Sequence, residues 1–234
     1  MKVSVVIPTY NEIAYIVRCI EALRRVGVNE IIVVDGASDD GTADVARRSA
    51  DVVLSSKEYD SPSKARNAGL RVAEGEIVAF IDADTVVSTT WLEGLLDAFK
   101  DPSVVGASGP ALPLEVNSGL IASYIISYDL LVRATLSLGR PHFLGFNSAY
   151  RKQVLEEIGG FREDVAVSED ALLSMMAYKM GRLVFTPKML VYTSSRRVRV
   201  RGLIESIFYL LYNGLSVLIF EKPIKVYPKV SCPS

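Results

Sequence analysis

Histidine is nearly missing from this chain of 234 residues, in which His142 stands alone. A metal centre built on several histidines is excluded, and a Ser-His-Asp triad is disfavoured. Cysteine is almost as scarce: Cys19 and Cys232 lie at opposite ends, so no disulfide framework exists. Cys19 sits among apolar neighbours as a buried free thiol, which fits a reducing cytoplasm. Charge of either sign is not in excess, since 26 Lys and Arg meet 27 Asp and Glu. That balance gives no general reason to expect a nucleic-acid partner. Neither Gly-x-Gly-x-x-Gly nor a Walker P-loop occurs, which argues against dinucleotide redox chemistry and ATP hydrolysis of those types. No signal peptide is expected, because Met1-Lys2 runs straight into residues 3–8, too short for an apolar leader core.

What is present is apolar. Half the residues are hydrophobic and the mean hydropathy is +0.27, which excludes disorder and is high for a freely soluble enzyme. The length suits one domain with an ample core. Charge is segregated: from Lys188 onward eight Lys and Arg face only Glu205 and Glu221, while the preceding residues carry 18 basic against 25 acidic groups. A basic end on an acidic body suits a phosphate or a membrane surface.

Residues 3–8 form a β-branched run closed by Pro8, the pattern of a strand buried on both faces. Residues 13–26 place Ile13, Ile16, Val17, Ile20 and Leu23 on one helical face. Strands are expected over 30–35, 52–55 and 76–81, with helices over 42–50 and 63–73. Such alternation implies a mostly parallel sheet whose ligand sites lie beyond the carboxyl ends of its strands. Pro8, Asp35 and Asp82 then meet at one rim. The second half is less regular, with helices expected over 91–100, 120–138, 152–158, 170–180 and 202–220. Its strands are expected over 104–110, 182–185 and 191–193.

Asp82-Ala83-Asp84 follows a buried strand, and two carboxylates so close invite a divalent cation. The same spacing also suits a solvated turn or helix cap. Asp39, Asp40 and Gly41-Thr42 read as a turn leading into a helix N-terminus.

Four segments come in order: VSVVIPTYNE (residues 3–12), IIVVDGASDDGT (31–42), KARNAG (64–69) and IVAFIDAD (77–84). Three more lie beyond them, GFNSAYR (145–151), IGGF (158–161) and SED (168–170). Together, over residues 3–201, they resemble family 2 glycosyltransferases. That resemblance implies an inverting, nucleotide-sugar-dependent enzyme of the GT-A fold: α/β, Rossmann-like, with a mostly parallel central sheet flanked by helices and here a C-terminal apolar helix. It implies donor contacts from Pro8, Thr9, Glu12, Asp35, Lys64 and Asp82, and Mn²⁺ or Mg²⁺ held by Asp84 with Asp82. Asp35 suits a uracil N3–H, although guanine also offers N–H donors, so the lean is toward UDP. Arg196 and Arg197 are candidates for the leaving diphosphate, because guanidinium forks match phosphate oxygens; a solvated basic face is the alternative. The Gln-x-x-Arg-Trp motif of many members is replaced by Ser194-Ser195-Arg196-Arg197-Val198, as in shorter, non-processive members. Asp170, beside Glu169, is implied as the base that activates the acceptor, although Ser168-Glu169-Asp170 also suits a helix N-terminus. Asn147, Arg151 and His142 are expected on the acceptor side.

The expected partners are a nucleotide-sugar donor and a hydroxyl acceptor on a glycan or lipid-linked saccharide. A polyprenyl-phosphate acceptor, or a non-catalytic nucleotide-sugar-binding or membrane-docking role, is the alternative. The apolar run 207–220 has 14 residues, fewer than the roughly 20 that a spanning helix needs. It suits either the interface of a membrane at its cytoplasmic face, or packing as core or homodimer contact. The chain divides into a nucleotide-sugar half (1–100), an acceptor and catalytic half of the same globule (101–201), and an apolar, basic end (202–234).

Overall fold

The computed structural model describes residues 1–115, 119, 128–165 and 168–196. Alternation of strand and helix begins at once: β1 (Val3–Thr9), α1 (Ile13–Val26), β2 (Glu30–Asp35), α2 (Thr42–Ala46), β3 (Val52–Ser55), α3 (Pro62–Val72) and β4 (Ile77–Phe80). Then come β5 (Thr85–Val87), α4 (Trp91–Ala98), β6 (Val104–Ser108), β7 (Ala111–Pro113), α5 (Leu130–Ser137), β8 (Ser148–Arg151), α6 (Lys152–Glu157), α7 (Glu169–Tyr178), β9 (Arg182–Phe185) and β10 (Val191–Thr193). Seven strands form one sheet in the order β3-β2-β1-β4-β8-β6-β9, and β5-β10-β7 form a second of three. The large sheet is parallel except for β8, which runs antiparallel to both β4 and β6.

The unbroken Val and Ile runs are explained by burial on two faces. Along β1, Val3, Val5 and Ile7 point into one core with Ile16, Ile20 and Leu23 of α1, whereas Val6 points into the other with Ala65, Ala68 and Leu70 of α3. Helix α3 lies so close that a methyl group at Gly69 would sit 2.3 Å from Val6 Cγ1. Glycine there sets the spacing between helix and sheet.

Most expected elements appear, with trimmed ends. Helix α2 stops at Ala46, not at 50, because the next turn unwinds: Arg24 takes the Ser49 carbonyl through two guanidinium nitrogens, at 3.0 and 3.2 Å. Strand β8 was not foreseen. Its first three residues are buried, Ala149 in one core and Tyr150 in the other, so they show no alternation of polarity. Strands β5 and β7, three residues each, were also missed. Of the helix expected over 120–138, Leu130–Ser137 is described; the helix expected over 202–220 and Arg197 lie outside the described residues. Among the described residues no helix is long and apolar enough to cross a membrane.

Candidate functional site

Register decides which strand ends meet. In the parallel pairing of β1 with β2, Thr9 stands opposite Asp35 at the C-terminal rim. The Asp35 carboxylate is fully buried and accepts hydrogen bonds from the Ser38 N–H at 3.0 Å and the Ser55 hydroxyl at 2.8 Å, as well as from the Ser38 hydroxyl. These bonds fix the turn after β2. Thr9 Oγ1, also buried, finds no hydrogen-bond partner among the described residues. The following turn is held as expected: Asp40 accepts from the N–H groups of Thr42 (2.9 Å) and Ile13 (3.1 Å), so one carboxylate steadies the starts of α1 and α2. Burial works against ionisation of Asp40, but those donors and the Thr42 hydroxyl hold its carboxyl below the usual range. The exposed ring of Tyr10 lies against Gly36 at the same rim. Sequence reading passed over Tyr10, whose signal was an aromatic residue next to a strand end.

Two arginines organise the remaining carboxylates. Strand β10 runs antiparallel to β5 with Thr193 opposite Thr85, so the chain leaving β10 brings Arg196 beside Asp84. Arg196 bonds both oxygens of Glu12, with Nη1 at 2.7 Å from Oε2, and its Nη2 is 3.1 Å from Asp84 Oδ2. Three residues named from sequence, spread over 184 positions, thus converge. The second arginine was not foreseen. Arg66 of α3, only 5% exposed, donates to Asp82 Oδ1 at 3.0 Å and to Glu169 Oε1 at 2.8 Å. Its signal was slight: a cation inside KARNAG, on a helix face otherwise buried. Burial disfavours its charge, but Asp82 and Glu169 bind its proton more firmly than in a free guanidinium.

Glu169 and Asp170 open α7, and Ser168 before them has a left-handed backbone, φ 64°. Asn11 and Ala37 share that feature at φ 54° and 61°, so all three non-glycine residues of this kind among the described residues border this rim. Backbone strain of this sort gathers where surrounding contacts over-determine a site. Asp170 accepts from the N–H of Gly145 at 2.9 Å and of Ala171 at 2.8 Å, and His142 Nε2 lies 3.6 Å from its Oδ1. Burial raises the Glu169 carboxyl, and the Asp170 charge adds to the rise. Asp170 goes the other way. Burial opposes its ionisation, yet His142, Arg66 and the Gly145 N–H hold its carboxyl below the usual range.

Not every expected residue joins this cluster. Asn147, expected on the acceptor side, is 1% exposed; its oxygen accepts from Trp91 Nε1 at 3.0 Å and its nitrogen donates to the carbonyls of Met189 and Gly109. A buried amide so engaged ties α4 to the loops flanking β7 and β10 and offers nothing to an acceptor. Arg151 is corrected for a second reason. It pairs with Ile77 at the opposite end of the sheet, where its guanidinium bonds the carbonyls of Val104, Phe99 and Asp101. Lys64 is paired with Asp60 at 2.9 Å at the start of α3.

Among the described residues, Glu12, Asp82, Asp84, Glu169 and Asp170 gather about Arg66 and Arg196 at this rim. Among the described residues no three acidic, His or Cys side chains converge as a closed metal cage. Asp82 and Asp84 are hard oxygen donors, and they fit an ion such as Mg²⁺ or Mn²⁺ that takes its other ligands from a diphosphate and water.

The sequence profile described as glycosyl transferase family 2 matches residues 4–159. The chain is 30% identical over 238 residues to the pre-mycofactocin glycosyltransferase of Mycobacterium tuberculosis, covering 97% of this chain and 50% of that protein. It is 30% identical over 206 residues to a poly(ribitol-phosphate) beta-N-acetylglucosaminyltransferase of Staphylococcus aureus, covering 76% of this chain and 32% of the relative. Among solved structures, a mannosyltransferase from Pyrobaculum calidifontis in complex with GDP-Man and Mn²⁺ superposes with a TM-score of 0.68 at 26% identity, over 90% of this chain and 64% of the other. The chain spans about half the length of the curated relatives it matches.

Proposed function

Given that the chain belongs to glycosyl transferase family 2, we propose that it is an inverting, metal-dependent glycosyltransferase. It moves a sugar from a nucleoside diphosphate, UDP favoured, to a hydroxyl of a glycan or lipid-linked saccharide. One observation carries this reading: the Glu12–Arg196 bridge through Asp84 and the Arg66–Glu169 bridge through Asp82 meet at Asp82-Ala83-Asp84 on one rim. Residues 1–100 supply the donor half, with Tyr10 offering its ring to a base beside Pro8, Thr9 and Asp35. Residues 101–201 supply the base. Asp84, with Asp82, would hold Mn²⁺ or Mg²⁺, an ion that supplies charge neutralisation of the leaving diphosphate. The GDP-Man and Mn²⁺ of the Pyrobaculum calidifontis mannosyltransferase complex support that ion choice and keep GDP in view. Arg196 exchanges its carboxylate partners for phosphate oxygens when the donor binds. Arg199, Arg201, Lys222, Lys225 and Lys229 in the sequence beyond Arg196 suit an anionic lipid surface, and we propose an acceptor at a cytoplasmic membrane face.

Asp170, kept ionised, takes the proton of the acceptor hydroxyl as the oxygen attacks. A thermal-shift panel of UDP- and GDP-sugars, each with and without Mn²⁺, tests the reading, because a ligand specific for the folded state raises its melting point by mass action. Stabilisation by at least one nucleotide sugar, larger with Mn²⁺, is expected. No stabilisation by any of them contradicts it.

His142 gives a prediction of its own. Its nearness favours the ionised form of Asp170, so His142→Phe raises the Asp170 pKa. The acidic limb of the kcat–pH profile therefore moves to higher pH, while nucleotide Kd stays constant. An unmoved limb would show that His142 does not act on Asp170.

A further inference from the structure

We infer that Arg66 is a positioning residue whose guanidinium ties Asp82 on the donor side to Glu169, and thereby holds the Glu169–Asp170 pair against the bound donor. The inference rests on the transferase reading above.

Among the described residues Arg66 is almost wholly shielded from solvent. Its side chain is 5% exposed and the Phe161 ring lies 5.4 Å from its guanidinium carbon. Gly145 faces it so closely that a methyl group there would stand 2.6 Å from Nη2. The backbone N–H of that same glycine holds Asp170 at 2.9 Å. Arg66 therefore touches Asp82 and Glu169 directly, and it borders the residue that orients Asp170.

The next residue strengthens the tie. Asn67 donates to the Phe161 carbonyl and to Glu163 Oε1, both at 2.8 Å, and accepts from the Phe161 N–H at 2.8 Å. Two consecutive residues of α3 thus clamp the segment before α7 and the first residue of α7 itself. Without the guanidinium, Asp82, Glu169 and Asp170 face each other as like charges, and Glu169 swings away from Asp82. A lysine keeps the charge but lacks the planar fork that spans two carboxylates.

The test uses Arg66→Met, Glu169→Gln, the double variant, Arg66→Lys and Asp170→Asn. For each, calorimetry gives the Kd of UDP and GDP with Mn²⁺, and nucleotide release from UDP-N-acetylglucosamine and GDP-mannose gives kcat. All are assayed well below their melting points. Arg66→Met is expected to change nucleotide Kd by less than about threefold while lowering kcat by roughly 10²-fold, the scale of a 1 Å misplacement. Because Arg66 acts through Glu169, its loss and that of Glu169→Gln do not multiply: the double variant matches Glu169→Gln in kcat, although its melting point recovers toward wild type as both charges of a buried pair are gone. Arg66→Lys, with an intermediate kcat, carries the comparison should Arg66→Met fail to fold. Losses that multiply in the double variant, or a kcat that recovers together with the melting point, would show a merely structural role and overturn the inference. So would a fully active Arg66→Met beside an inactive Asp170→Asn, whereas an active Asp170→Asn removes Asp170 as the base, and only a wild type that binds no nucleotide and turns over neither donor overturns the transferase reading itself.

Discussion

Asp170→Asn is expected to leave nucleotide binding within about twofold of wild type and to lower kcat by roughly 10²–10⁴-fold, the usual contribution of a general base. The substitution is nearly isosteric, but an amide cannot accept the acceptor's proton. Its structural cost is limited. The carboxylate now takes the Gly145 and Ala171 N–H groups on separate oxygens, and asparagine supplies only one oxygen, so one of these bonds is lost. That loss is worth about 1–3 kcal/mol, which a melting curve reads independently of turnover. A variant with wild-type melting behaviour and wild-type turnover would remove Asp170 from the chemistry. Glu169 does not replace it: its carboxylate is turned to Arg66, and burial together with the Asp170 charge raises its pKa.

Asp84→Ala is expected to abolish the Mn²⁺-dependent part of nucleotide affinity and to lower turnover by about 10²-fold or more. A bound divalent ion supplies several kcal/mol of charge stabilisation to the leaving diphosphate, and each 1.4 kcal/mol is tenfold in rate. The fold survives this change for a visible reason: Arg196 keeps its two bonds to Glu12, so no buried cation is stranded. Calorimetry of UDP with and without Mn²⁺, run beside a transfer assay, reads both effects. Metal-dependent affinity that persists in Asp84→Ala would move the ion elsewhere.

The parts of this molecule that could be read from its residues are those written in strand patterns. Runs such as EIIVVD and EIVAFI declare strands buried on both faces, and the residues that close each run land on one rim by topology alone; Asp35, Asp82 and Asp84 were placed that way. What escaped depended on long-range partners. Arg66 and Glu169 are 103 residues apart, and nothing local distinguishes a buried arginine from a solvated one on an 11-residue helix. Strand β8 escaped because residues buried on both sides show no alternation. Asn147 and Arg151 were assigned from their place in a motif, whereas burial and register decide their roles: one fastens a loop junction, the other the far end of the sheet. Residue type and spacing reveal which chemistry is available, and packing decides which groups face a ligand.

The most direct test of a metal-dependent donor site is a calorimetric titration of the wild-type protein with UDP and with GDP, each in the presence and absence of Mn²⁺. Asp82 and Asp84 are hard oxygen donors that would share a divalent ion with a diphosphate, so affinity for at least one of the two nucleotides is expected to rise clearly with Mn²⁺. Equal affinities with and without the ion, for both nucleotides, would contradict it.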